Sequence, residues 1–164
     1  MKKWNEKGKF MKLEVRYIDE KLTKMEKIEK GDLVDLRASK ISVNGVDKDF
    51  PCEYKTGDVV FVKLGFAMKL PKGYKANVYP RSSTFKNYGL ILTNSVGQID
   101  NSYNGNDDQW CGMFACLKDG KMNYDDRILQ FEIARTTMDD IEFEFVEKLE
   151  NLENRGGFGS TGIE

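Results

Sequence analysis

The sequence predicts an all-β domain, a jelly-roll-like sandwich or barrel. Short stretches alternate apolar and polar residues with a period of two, turn residues separate them at regular intervals, and 164 residues fit one well-buried core. Leu13, Val15 and Tyr17 alternate with charged residues and open the first strand. KLTKMEKIEK, with Leu22, Met25 and Ile28 three apart, reads as a helical turn or two. KISVNGVDKDF is a hairpin, because Asn44-Gly45 suits the left-handed conformations of a tight turn. DVVFVKLGFAMKL is an apolar run ended by Pro71-Lys72-Gly73, and YKANVYP alternates again. GLILTNSVGQID forms two apolar arms about Ser95-Val96-Gly97. QWCGMFACL and RILQFEIAR flank an Asp119-Gly120 turn, and IEFEFVE is a last alternating strand.

The domain is expected over 11–150. Residues 1–10 have no periodic pattern and read as a disordered extension. RGGFGSTG has four glycines in eight residues, too many for a helix or strand, so 151–164 read as a mobile arm that can reach away from its own core.

Composition narrows the chemistry. A net charge of −1 with both signs distributed along the chain gives no field for a nucleic-acid backbone, so a phosphorylated ligand must be gripped locally. Histidine is absent, which removes the usual general base and leaves catalysis to carboxylates. Three cysteines, Cys52, Cys111 and Cys116, fit neither a paired disulfide framework nor a zinc spacing and point to a reducing cytoplasm. No apolar stretch approaches membrane-spanning length, and the N-terminus has no signal-like apolar region.

Several segments carry chemistry, each with a plainer reading beside it. In YPRSSTFKNYG, a proline breaks the strand and gathers Arg81, Ser82, Ser83 and backbone N–H groups, a set suited to polyphosphate or to an ordinary polar turn. In VGQIDNSYNG, Asp100 ends a strand three residues before Tyr103, so it is either a base that activates water or a turn-former. GDLVDLRAS places Asp32 and Asp35 around a short apolar core, and DDRILQFE places Asp126, Arg127 and Gln130 at a strand start. Such carboxylates fit either a surface or a Mg²⁺ ion shared with phosphate oxygens. The arm offers Arg155, Phe158, Ser160 and Thr161 for phosphate and ring contacts.

In their order along the chain, GDLVDLRAS, PRSSTFKNYG, NSVGQIDNSYNG, DDRILQF and RGGFGSTG resemble the five motifs of the trimeric deoxyuridine triphosphatase (dUTPase) family, from about Leu13 to Gly162. The resemblance implies a homotrimer with interfacial sites that cleaves dUTP to dUMP and pyrophosphate with Mg²⁺. Asp100 would orient and deprotonate the attacking water, and Tyr103 would pack on the deoxyribose. Asn94 and the backbone of Gln98 and Ile99 would read uracil. Arg81, Ser82, Ser83 and Gln130 would hold phosphates, while Asp35 would act on the metal through water or brace the site. The arm would close over nucleotide on a neighbouring subunit, with Arg155, Ser160 and Thr161 at the terminal phosphate and Phe158 over uracil.

Two departures stand out. The family's arginine lies five residues before the phenylalanine; here Glu153 holds that place and Arg155 lies three before. Trp110, close behind the third motif, is either a second lid aromatic or a core residue. The alternatives are a dCTP deaminase, a related trimeric fold that acts on the base, and a regulatory protein whose nucleotide-responsive arm contacts a partner.

Overall fold

A computed structural model of the chain describes residues 11–149. Its strands are β1 (Glu14–Tyr17), β2 (Val34–Arg37), β3 (Lys40–Val43), β4 (Val46–Lys48), β5 (Cys52–Tyr54), β6 (Val59–Lys63) and β7 (Phe66–Lys69). They continue with β8 (Tyr74–Pro80), β9 (Leu90–Leu92), β10 (Gly97–Ile99), β11 (Cys111–Cys116), β12 (Gly120–Met122) and β13 (Arg127–Arg135). A short helix, α1 (Thr84–Tyr88), and a 3-10 turn at Met138–Asp140 complete the described elements. A four-stranded sheet, β10-β8-β13-β2, and a five-stranded one, β4-β3-β6-β11-β9, account for most of the strands, joined by the ribbons β1-β7 and β12-β5. The expected all-β jelly-roll-like architecture is therefore present.

Alternation makes the core. On β6, Val60 and Val62 are fully buried while Val59 and Lys63 face out, and on β11 Gly112, Phe114 and Cys116 point inward. They meet Leu36, Leu64, Ile128 and Leu129 in one cluster. A fully buried side chain of this kind contributes about 1.5–3 kcal/mol by leaving water. Trp110 is 1% exposed, its ring 5.0 Å from that of Phe66 and 5.3 Å from that of Phe131. It belongs to the core, which excludes it as a lid.

Local turn chemistry behaves as the sequence predicts at Asn44-Gly45, where φ of 50° and 80° closes the β3-β4 hairpin. The apolar run 58–70 divides into β6 and β7 at Gly65, whose φ is +71°. A Cβ there would run into Leu22 and Ser39.

Elsewhere the structure corrects the sequence. KLTKMEKIEK forms no helix beyond a bend in which the Leu22 N–H meets the Asp19 carbonyl. The Thr23 N–H and hydroxyl donate to Asp125 at 3.1 and 2.6 Å, and the Met25 N–H donates to the Tyr17 hydroxyl at 2.7 Å. These distant partners satisfy a backbone too short to nucleate a stable helix. The arms of GLILTNSVGQID become β9 and β10 but do not pair with each other; β9 joins β11 and β10 joins β8. Gly120 opens β12, which pairs with β5, between β11 and β13. IEFEFVE is no strand: its aromatic residues stand in solvent, Phe143 67% and Phe145 94% exposed, with no ladder partner among the described residues. No helix among them is long and apolar enough to cross a membrane.

Candidate active site

The residues singled out in the sequence fall into two groups at opposite corners of the four-stranded sheet. The first is built where β8 ends. Arg81 leaves β8 and donates from Nε to Asp35 Oδ1 at 2.7 Å, while Arg127, at the start of β13, approaches Asp35 Oδ2 at 3.2 Å. One carboxylate on β2 thus holds two guanidinium groups, and the Arg127 side chain remains 51% exposed. Charge-assisted bonds of this kind are the strong ones, and here both partners of the Arg81–Asp35 pair are mostly shielded from water.

The backbone beside Arg81 is fixed by a residue that sequence reasoning passed over. The Thr84 hydroxyl, buried at 1% exposure, accepts from the Arg81 N–H at 2.9 Å and donates to the Ile128 carbonyl at 2.8 Å. Gln130 adds a bond from its amide to the Pro80 carbonyl at 3.1 Å. Ser82 is exposed, and Ser83 caps α1 without a side-chain cap bond, so the hydroxyls are spent on no internal turn among the described contacts. The helix itself was not legible in PRSSTFKNYG.

The second group surrounds β10. Gln98 and Ile99 pair through their backbone with Asn77 and Ala76 of β8, and Asp100 follows at the strand end. Ser102 donates to Asp100 Oδ1 from its N–H at 2.8 Å and from its hydroxyl. These bonds hold the carboxyl of Asp100 below its ordinary range and keep it ionised. Ser102, unremarked in the sequence, is therefore part of the arrangement. Tyr103 is 40% exposed, its hydroxyl donating to the Gln109 carbonyl at 3.0 Å. Burial of its phenol raises its pKa, so it remains a donor. Asn94 and Gly97 line a cavity of about 310 Å³ with Phe61, Cys111 and Met113.

The two groups do not meet within one chain. Asp35 sits on β2 and Asp100 beyond β10, the two edges of the sheet, three strand spacings or about 14 Å apart. Ile99, the residue before Asp100, lies at the level of Ala76 and Asp35 at that of Tyr79, an offset along β8 of about 10 Å. The diagonal, about 17 Å, far exceeds the roughly 3 Å over which a carboxylate can hold a water for attack. Arg155, Phe158, Ser160 and Thr161 lie outside the described residues, as do residues 1–10.

The remaining candidates for chemistry recede. Burial pushes the thiols of Cys52, Cys111 and Cys116 up, away from the reactive thiolate form. Among the described residues no three acidic or thiol side chains cluster as a metal cage.

Comparison with known proteins gives these corners a context. A family model described as dUTPase matches residues 46–162. The SPbeta prophage-derived deoxyuridine 5'-triphosphate nucleotidohydrolase of Bacillus subtilis (strain 168) is 45% identical over 152 residues, covering 93% of this chain and 99% of that protein. The deoxyuridine 5'-triphosphate nucleotidohydrolase of Helicobacter pylori (strain Shi470) is 37% identical over 112 residues, 66% of this chain and 74% of that one. Among solved structures, Staphylococcus bacteriophage 80alpha dUTPase with dUPNHPP superposes with a TM-score of 0.67 at 18% identity, covering 93% of this chain and 99% of that one. A mutant dUTPase from phage phi11 of S. aureus, which coordinates a structural Mg(II) ion, has a TM-score of 0.59 at 18% identity, covering 86% of this chain and 100% of that one. At such identities the solved structures speak to the fold.

Proposed function

The chain belongs to the dUTPase family, and from that premise we propose that it hydrolyses dUTP to dUMP and pyrophosphate in sites shared between copies of a homotrimer. The observation that carries the reading is Asp100, a carboxylate that Ser102 holds ionised just beyond β10, the strand whose first residue lines the cavity of about 310 Å³. In a chain without histidine, that carboxylate is the group suited to hold water. The water oxygen bonds to the α-phosphorus as the bond from that phosphorus to the bridging oxygen breaks. The proton passes to Asp100 and on to solvent, and pyrophosphate leaves.

Tyr103 packs on the deoxyribose, and Asn94 with the backbone of Gln98 and Ile99 reads uracil. Arg81, Ser82, Ser83 and Gln130 hold the phosphates. Asp35 acts as their brace, because its two oxygens already serve Arg81 and Arg127. Mg²⁺ carried by the triphosphate would supply charge neutralisation for the leaving pyrophosphate, and Asp35, its oxygens engaged by Arg81 and Arg127, would meet it only through water. The positions of the protein groups supply the rest, through alignment and electrostatic stabilisation.

The 17 Å diagonal supports a composite site, since phosphate and water must be handled together. One chain contributes the Asp100 corner and its neighbour the Arg81 corner. The exposed segment 141–149, with Phe143 and Phe145 in solvent, supports a chain that leaves its own body there. Residues 151–164 then reach the shared site, with Phe158 over uracil and Arg155, Ser160 and Thr161 at the terminal phosphate. The composition fits work on the nucleotide pool of a reducing cytoplasm.

Purified protein is incubated with dUTP, dCTP, dTTP and UTP in Mg²⁺, and both pyrophosphate and ammonia are measured. Pyrophosphate from dUTP alone is the expected result. Ammonia from dCTP would replace the reading with deamination, and no product from any nucleotide would leave a binding role.

A further inference from the structure

The Tyr103 ring is anchored at its far end by one peptide, and that peptide is fixed to the core by the side chain of Gln109. Between Tyr103 and Gln109 runs a loop in which residues 104–107 are exposed. The Gln109 carbonyl receives the Tyr103 hydroxyl at 3.0 Å, and Gln109 Oε1 receives the Gly65 N–H at 2.9 Å. Gly65 is among the more constrained points of the fold. Its left-handed φ of +71° and its crowding by Leu22 and Ser39 leave no room for a side chain, and its carbonyl accepts the N–H groups of Ile18 and Asp19 at 2.8 and 3.0 Å. The next residue is clamped as well: the Trp110 carbonyl accepts from Leu64 at 2.9 Å and its N–H donates to Phe66 at 3.1 Å. The acceptor that Tyr103 reaches is thus tied to the junction of β6 and β7, whereas the ring itself is 40% exposed at the end of a solvent loop.

We infer that Gln109 is a positioning residue for sugar selectivity, setting the height of the Tyr103 ring over the sugar so that a 2′-hydroxyl finds no space. The inference rests on the reading of Tyr103 as the deoxyribose platform. Exclusion of one hydroxyl by an aromatic face depends on ring placement, and a small displacement relaxes it. Gln109 makes no hydrogen bond to Asp100 among the described contacts, so its loss falls on discrimination between dUTP and UTP more than on turnover of dUTP.

The test measures kcat/KM for dUTP and UTP, with thermal melting alongside, in the full chain and in Gln109→Leu, Gln109→Glu, Tyr103→Phe and the double variant Tyr103→Phe/Gln109→Leu. Gln109→Leu and Tyr103→Phe are each expected to lower the dUTP-to-UTP ratio about three- to tenfold, the effect of one neutral hydrogen bond. The double variant falls no further than either single one, because both break the same tether. Gln109→Glu keeps an oxygen for the Gly65 N–H and keeps the ratio. A native ratio in folded Gln109→Leu, or losses that multiply in the double variant, would overturn the positioning role while leaving dUTP hydrolysis intact. Should Gln109→Leu fail to fold, an unchanged ratio in Tyr103→Phe overturns it equally. An unsubstituted protein that hydrolyses dUTP and UTP alike would overturn the sugar-platform reading and the inference with it.

Discussion

The two corners of the four-stranded sheet are built in opposite ways. Around Arg81, a carboxylate, two guanidinium groups and a buried threonine hydroxyl bind side chain to side chain and to the backbone, on strands whose other faces fill the core. Around Asp100, the carboxylate is held by Ser102 two residues on, and Tyr103 leans on a peptide six residues away. One corner is preorganised by distant parts of the fold; at the other, Asp100 is held by its own turn and only the acceptor of Tyr103 is tied to the core, through Gln109. In the proposed roles, a phosphate clamp must present fixed charge before ligand arrives, whereas a corner that admits a nucleobase and releases product gains from local, reversible support.

That difference can be sharpened by substitution. Arg81→Ala removes a charge-assisted phosphate contact and one of the two cations on Asp35; kcat/KM for dUTP should fall roughly tenfold to a hundredfold in steady-state assays. Selectivity for uracil should persist, since the proposed reading places base recognition at the other corner. Thr84→Val keeps the shape and leaves the Arg81 N–H and the Ile128 carbonyl without their shared partner. Calorimetry or denaturant melting should show a loss of about 1–3 kcal/mol.

Ser102→Ala should do the least at neutral pH. Asp100 acts ionised, and its carboxyl lies below the ordinary range because Ser102 stabilises the charged form. Activity therefore falls only as pH drops through that lowered value. Without the hydroxyl the pKa rises toward the ordinary one, and the acid limb of the pH–rate profile should move to higher pH while the plateau stays within about twofold. An unmoved acid limb would mean that Asp100 does not govern it.

The sequence conveyed what is local and little of what is distant. Asn44-Gly45 specifies its hairpin because the left-handed turn is a property of the two residues themselves. The alternation in YKANVYP and RILQFEIAR marks the inward faces of β8 and β13 for the same reason. Strand partners are a different matter: β9 and β10, separated by only the four residues 93–96, go to separate sheets, and no local signal encodes that. IEFEFVE alternates yet pairs with nothing described, since alternation reports an apolar face and not its partner. At the proposed site, the ordered motifs single out Arg81, Asp35, Asp100 and Tyr103. Thr84, Ser102, Arg127 and Gln109 gain their roles from hydrogen bonds and ion pairs that only the folded chain reveals.

The central claim is that each site takes Asp100 from one chain and Arg81 from another. Asp100→Asn, expected to be nearly silent, and Arg81→Ala, assayed at limiting dUTP where its loss is fully expressed, are unfolded together, refolded as a mixture and assayed for pyrophosphate against each variant alone. Turnover should recover in the mixture, because mixed assemblies contain sites with both native halves, and should show no such recovery when either variant is refolded alone. A mixture as silent as its components would contradict it and place the working site within a single chain.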